Sequence, residues 1–112
     1  MAAATISAKK DLQNWPVLRR SFTMSAMTSD QQETVTHSGP KATPDSVTMN
    51  LTTRPTDGST VSFQWLSTSV TNGTVTVRLW AEGGGSLDGA VADVYLTFRD
   101  HADQNQTSIT VS

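Results

Sequence analysis

The residues with the widest chemical repertoire in this sequence are two histidines, His37 and His101, together with ten acidic side chains. Neither histidine belongs to a metal-ligand spacing such as HExxH, and the acidic residues form no DxDxDG calcium loop. Most of the aspartates stand among turn-forming residues, where Asp hydrogen-bonds to its own backbone. We therefore expect both histidines to be surface or capping residues, and we expect no metal site.

The sequence contains no recognisable motif for a catalytic nucleophile. There is no cysteine, so thiolate catalysis and disulfides are excluded. Serines are abundant, but no GxSxG elbow places one of them on a strained turn. The glycine run at 83–85 lacks the GxGxxG spacing and a following Gly-Lys-Ser/Thr, so it predicts a flexible loop tip instead of a phosphate cradle. The sequence predicts no catalytic residue and no cofactor, and hence a protein that is not an enzyme.

Any functional side chain must be positioned by strands, because apolar and polar residues alternate with a period of two in four segments. None of these segments has the three- and four-residue spacing of an amphipathic helix. Their apolar positions are Val47, Met49 and Leu51; Val61, Phe63 and Trp65; Val75, Val77 and Leu79; and Ala92, Val94, Leu96 and Phe98.

Turn residues separate the four segments. Pro55 and Gly58 suit a short hairpin loop, and Asn72-Gly73 is the strongest local hairpin signal in the chain. A two-residue turn at Asn72-Gly73 would place Phe63 and Trp65 on the wrong face of their strand. We therefore predict a bulge or break near residues 66–69.

These strands predict an all-β fold, a small antiparallel β-sandwich of Ig-like or jelly-roll-like type with an extended N-terminal arm. The low aliphatic content and the many threonines favour two thin layers with a Thr-rich solvent face. At least one of Trp65 and Trp80 should fill the core. An exposed tryptophan would instead offer a ring face on which a sugar could stack.

The first 22 residues differ from the rest because they are basic, and they also carry Trp15. We divide the chain into an arm, residues 1–16, and a sandwich domain, residues 17–112. The arm hypothesis assigns partner binding to five residues, with Trp15 as the anchor. They are Lys9, Lys10, Trp15, Arg19 and Arg20. The alternative is that residues 17–24 form an ordinary first strand behind a frayed terminus.

Residues 23–45 read as a long polar loop in which only residues 34–37 have strand character. Loops of this length are usually functional or disordered, so His37, Pro40 and Lys41 are candidates for a second partner contact. Residues 106–111 predict a final or exchanged strand.

The formal net charge of −2 argues against nucleic-acid binding, which needs clustered Lys and Arg. The N-terminus lacks the apolar region of a signal peptide, and no segment approaches membrane-spanning length. We expect neither a nucleic-acid nor a membrane partner.

Residues 35–49, with His37 and Pro40 before a strand, resemble a pattern in small β-structured virion proteins of tailed bacteriophages. The run 73–81, which ends in Trp80-Ala81, is similar to the same group. In this chain Ser38-Gly39-Pro40 replaces the Leu-Gly that usually follows the histidine. The resemblance implies a capsid-surface location and binding to the major capsid protein or other virion subunits, often as a homotrimer.

Two functions follow as expectations. The first is a capsid decoration, or cement, subunit that binds and stabilises the major-capsid lattice. The second is a tail- or head-fibre recognition module that reads a host-surface glycan. An unrelated Ig-like domain is the third possibility.

Overall fold

The computed structural model describes residues 4–8, 13–14, 17–37, 43–69, 73–99 and 110–111. Apart from one short 3-10 turn at Glu82–Gly84, the regular elements of this part of the chain are β-strands. They are β1 Thr5–Ala8, β2 Gln13–Asn14, β3 Val17–Ser25, β4 Asp30–Thr36, β5 Ser46–Thr53, β6 Val61–Ser69, β7 Thr74–Ala81, β8 Val91–Arg99 and β9 Thr110–Val111.

The strands form two antiparallel sheets packed face to face. The first sheet has the order β1-β3-β8-β5, with β2 also paired to β3, and the second has the order β6-β7-β4-β9. The predicted small antiparallel β-sandwich is confirmed. All four segments in which the sequence alternates with a period of two are strands, β5 to β8.

The core lies between the central strands of the two sheets. Along β7 buried and half-buried residues alternate without interruption, as the pleat of a strand requires. The inward residues of β3 and β8 meet them from the other sheet. The largest fully buried side chains are Phe22, Phe98, Leu18, Met24, Met27, Leu79, Leu87 and Leu96.

The predicted break in β6 is confirmed at Leu66. The register of β6 on β7 shifts between Trp65 and Ser67, so one extra residue is inserted and the inward face is exchanged. Gly73 has φ +63°, the left-handed conformation that favours glycine at the end of the predicted turn. Residues 70–72 lie outside the described part of the chain.

The connection between β7 and β8 has an exposed tip at Glu82–Gly84, where a loop tip is predicted, and its second half is anchored. Leu87 is fully buried, and its backbone N–H donates to the Thr28 carbonyl at 3.0 Å. Asp57 in the β5–β6 turn accepts the N–H of Ser86 at 3.0 Å. The burial of Leu87 and these two hydrogen bonds together hold the second half of the connection against the sandwich.

The N-terminal pieces belong to the first sheet, which corrects the predicted arm for the residues described. Thr5–Ala8 and Gln13–Asn14 both pair with β3, in the registers Thr5↔Ser25 and Gln13↔Leu18. Ala4 and Ile6 pack against the core. The free edge of β3 offers backbone hydrogen bonds, and a segment next to it in sequence can reach that edge easily. Lys9, Lys10 and Trp15 lie outside the described residues. Residues 17–24 form the ordinary strand of the alternative reading, as part of β3.

Strand β4 begins four residues earlier than the sequence predicts. Its inward positions include Gln31 and Glu33, which are buried and polar, so the apolar alternation is hidden. Glu33 Oε1 accepts hydrogen bonds from Gln31 Nε2 at 3.1 Å and from the Ala4 backbone N–H at 3.0 Å. These bonds offset the desolvation of the two side chains. The predicted final strand is present at Thr110–Val111, where β9 pairs with β4.

Candidate binding surface

The outward face of the second sheet carries the most chemically distinctive surface in the described chain. Strand β7 directs Arg78 and Trp80 outward because Val77 and Leu79 take the inward positions of its pleat. Strand β4 places Asp30 directly opposite Trp80. We call Asp30, Arg78 and Trp80 the Trp80 patch.

Arg78 is held on two sides. Its Nε donates to Asp30 Oδ1 at 3.1 Å and its Nη2 to Asp30 Oδ2 at 2.7 Å, a bidentate ion pair between neighbouring strands. The guanidinium carbon also lies 4.6 Å from the centroid of the Trp80 ring, a cation–π distance. The plane of the guanidinium is therefore set before any partner arrives.

Both charges of the patch are stabilised by their contact. The hydrogen bond from Arg78 lowers the pKa of Asp30, and the hydrogen bond to Asp30 raises the pKa of Arg78. The Asp30 and Arg78 side chains remain 41% and 36% exposed, so solvent and a partner can reach them. At neutral pH the patch presents an ion pair beside a half-buried indole ring.

Polar side chains surround the patch on all three strands. Exposed Gln32 on β4 and Gln64 on β6 stand opposite Arg78 on either side. Thr34 and Thr76 share a hydrogen bond at 2.8 Å further along the same face. The surface combines one aromatic ring, one guanidinium held by two contacts and the side-chain amides of two glutamines.

Two residues predicted to contact a partner are buried. Arg20 is only 3% exposed on the inward side of β3, and His37 is only 1% exposed. Neither side chain is available to a partner, so the prediction that Arg20 and His37 bind a partner is wrong. The prediction that His37 lies on the surface is wrong for the same reason. Arg20 stands two residues from Leu18 and from Phe22, so the period of two along a strand places all three on the same face. Its basic side chain favoured a surface position instead.

His37 is held in the core just after β4. Its ring packs on Phe98 with centroids 5.1 Å apart, and its backbone N–H donates to the Gly73 carbonyl at 2.9 Å. Burial lowers the pKa of His37 to about 4, and the nearby positive charge of Arg20 adds to the effect. His37 is thus a neutral core residue at physiological pH.

Arg19 lies exposed on the outward face of the first sheet. Its guanidinium carbon is 5.6 Å from the centroid of the Tyr95 ring. Its predicted role in partner binding stays a prediction. Pro40 and Lys41, like Lys9, Lys10, Trp15 and His101, fall outside the described residues.

Trp65 and Trp80 take different positions. Trp65 points inward from β6 and packs against the core, but it remains partly exposed. Trp80 points outward and is only half-buried. The prediction that one of these tryptophans fills the core therefore holds only in part, for Trp65. The ion pair that completes the Trp80 patch joins residues 48 positions apart, and no local motif marks it.

Within the described ranges, no group of three His, Cys, Asp or Glu side chains is arranged to hold a metal ion. The same part of the chain contains no helix with the length and apolarity needed to cross a membrane. No protein-family model, curated protein or solved structure matches the chain at a significant level.

Proposed function

We propose that this chain is a structural subunit of a tailed-phage virion, a capsid decoration protein that binds the major-capsid lattice. The resemblance of residues 35–49 and 73–81 to small virion proteins supports the assignment to a virion. The Trp80 patch is the observation that supports binding to a protein surface. We retain the prediction that Lys9, Lys10 and Trp15 form a second, separate contact with the partner.

The patch has the properties of a binding hot spot. Tryptophan and arginine are the residue types most enriched at the energetic centres of protein interfaces. Arg78 is already fixed by Asp30 and by the Trp80 ring, so little side-chain entropy is lost when a partner binds. A small patch of this kind suffices for a decoration subunit if it is bound in several copies, because linked contacts reinforce one another.

The same geometry weighs against the glycan-recognition alternative. A sugar that stacks on an indole needs an open ring face, and Arg78 already covers one face of Trp80. Arg78 keeps N–H groups that Asp30 does not use, and these can donate to a carbonyl oxygen of a protein partner. We therefore prefer capsid binding to glycan recognition, and the experiment distinguishes the two functions.

The test is co-sedimentation of the full chain with expanded heads of the phage that encodes it. Trp80→Ala should weaken binding to the heads at least tenfold, the loss typical of a hot spot. Asn50→Ala is the matched control, since Asn50 is exposed on the outward face of the other sheet. It should bind like the parent protein.

Two results would overturn the proposal. One is a parent protein that does not bind heads at any concentration, and the other is a Trp80→Ala variant that saturates heads like the parent. A titration of tryptophan fluorescence with host polysaccharide runs in parallel. A saturable change there, without head binding, would establish the glycan function instead.

A further inference from the structure

The two edge strands on one side of the sandwich are long and lie next to each other. Among the described strands, β5 pairs only with β8 and β6 only with β7. Each strand ends its sheet, with eight residues in β5 and nine in β6. Contacts between β5 and β6 place both open edges on the same side of the molecule. Their outer backbone groups form a ready-made template for a further strand.

Between these edges the core is open. The inward apolar residues of β5 and β6 pack against the core but remain partly exposed, unlike those of the central strands. We call this set the β5–β6 seam: Val47, Met49, Leu51, Val61, Phe63 and Trp65. A pocket lined by Leu51, Arg54 and Val61 opens at one end of the seam. Leu66 is the one large apolar residue that is exposed in the described part of the chain, and it lies at the β6 bulge with 38% exposure.

Each strand has one of the features that protect natural edges, an irregularity in its register, at Leu51–Thr53 in β5 and at Trp65–Ser67 in β6. The other protective features, which are lysines, prolines, inward charges and very short length, are missing from both strands. Ser46–Thr53 and Val61–Ser69 contain no charged residue and no proline. In the described part of the chain, β5 and β6 present the longest open edges of the two sheets.

The occupant that fits this side is a second copy of the chain. A twofold axis normal to the sheets would pair β5 with β5 and β6 with β6 of the other copy, both antiparallel. Each sheet would continue through the interface, and the two seams would close on each other. Because the paired strands carry no charge, this isologous contact brings no like charges together.

The size of the contact is sufficient for a reversible dimer. A strand of eight residues is about 26 Å long, and two packed sheets with their side chains are about 20 Å thick. The interface would then bury about 500 Å² per copy and about 1,000 Å² in total, near the lower limit for specific complexes. The association should therefore depend on protein concentration.

We propose that the β5–β6 seam is a self-association surface that joins two copies of this chain into a continuous two-layer sandwich. This inference is independent of head binding, since the seam and the Trp80 patch use different residues. It also differs from the trimer that the virion resemblance implies.

Sedimentation velocity of the full chain over a wide concentration range tests the proposal. The parent should move from 12.0 kDa towards about 24 kDa, twice the mass of one chain, as the concentration rises. Met49→Lys places an inward charge in the seam, and Leu66→Lys places one at the exposed bulge. Each should weaken dimerisation at least tenfold. Ser29→Lys adds the same charge at an exposed position just before strand β4 and should dimerise like the parent.

Circular dichroism at low concentration shows whether each variant folds. Leu66→Lys keeps the test decisive if Met49→Lys does not fold, because the Leu66 side chain is already exposed. A parent that stays at 12.0 kDa up to about 1 mM, a trimer mass, or a folded Leu66→Lys variant that dimerises like the parent would falsify the proposal. Trp80→Ala should still dimerise, so failure of head binding and failure of dimerisation are separable.

Discussion

Strands β6 and β7 are neighbours with the same alternating pattern, yet they differ in how much apolar surface they bury. On β7 the inward residues Val75, Val77 and Leu79 are fully buried, whereas Val61 and Phe63 on β6 are only partly buried. Strand β7 has β4 on its other side, while β6 ends the sheet. The alternation selects which face of a strand is apolar, and the neighbours decide how completely that face is covered.

The first sheet repeats the comparison. Central strand β8 buries Ala92, Val94, Leu96 and Phe98 completely, and edge strand β5 buries none of its residues completely. Stabilisation scales with the apolar area removed from water, at about 25 cal/mol per Å². The central strands must therefore contribute most of the folding energy, and the edge strands keep part of their apolar surface available for association.

The largest expected effect comes from matched leucines on the two kinds of strand. Leu79→Ala on β7 removes a fully buried side chain and should lower the free energy of unfolding by about 2–5 kcal/mol. Leu51→Ala on β5 should cost less than about 2 kcal/mol, because Leu51 is already partly exposed. Urea unfolding at a concentration that keeps the chain monomeric measures both. If both variants lost the same free energy of unfolding, central and edge strands would not differ in how much they stabilise the fold.

His37 reports how completely the central region excludes water. Its folded-state pKa of about 4 lies below the ordinary 6.5, so the unfolded chain takes up a proton more readily than the folded one. Stability should be complete above about pH 6.5 and fall by about 3 kcal/mol as the pH drops to 4.

The measurement is urea unfolding at several pH values in a His101→Gln background, where His37 is the sole histidine. Replacing His37 by Gln in that background should flatten the slope between pH 6.5 and 4.5. The carboxylates titrate in both proteins and cancel in the comparison. An unchanged slope would mean that water reaches His37 in the folded state.

The smallest expected effect lies on the outward side of the same central strands. The Asp30–Arg78 ion pair is partly exposed, so solvent screens it and its contribution to stability is small. A double-mutant cycle with Asp30→Asn and Arg78→Met, read by urea unfolding, should give a coupling energy smaller than the loss caused by Leu51→Ala. A larger coupling energy would show that the outward face of β7 also stabilises the fold.

The strands from Ser46 to Arg99 could be predicted from the sequence because most of their inward residues are apolar, with Thr68 beyond the β6 bulge as an exception. Strand β4 was predicted only in its second half, since Gln31 and Glu33 occupy inward positions and satisfy each other by hydrogen bonds. Arg20 and His37 were misplaced for a related reason. A polar residue type suggests solvent, and only the packing around it shows that the side chain is inside.

The candidate site was predictable in one part only. Trp80 stands out in the sequence as a large residue at the end of an alternating strand. Its partner Asp30 belongs to a segment that resembles a loop, and the registers of β4 on β7 bring the two together. Nothing in the local sequence of either residue specifies that register.

The sequence by itself determined the class of fold, the inward face of strands β5 to β8 and the position of the β6 bulge, because these follow from the period of two along a strand. Only the tertiary structure decided which strands lie at the edges, where the core stays open and which charged side chains meet across the surface. Those properties depend on neighbours that are distant in sequence, and alternation along one strand carries no information about them.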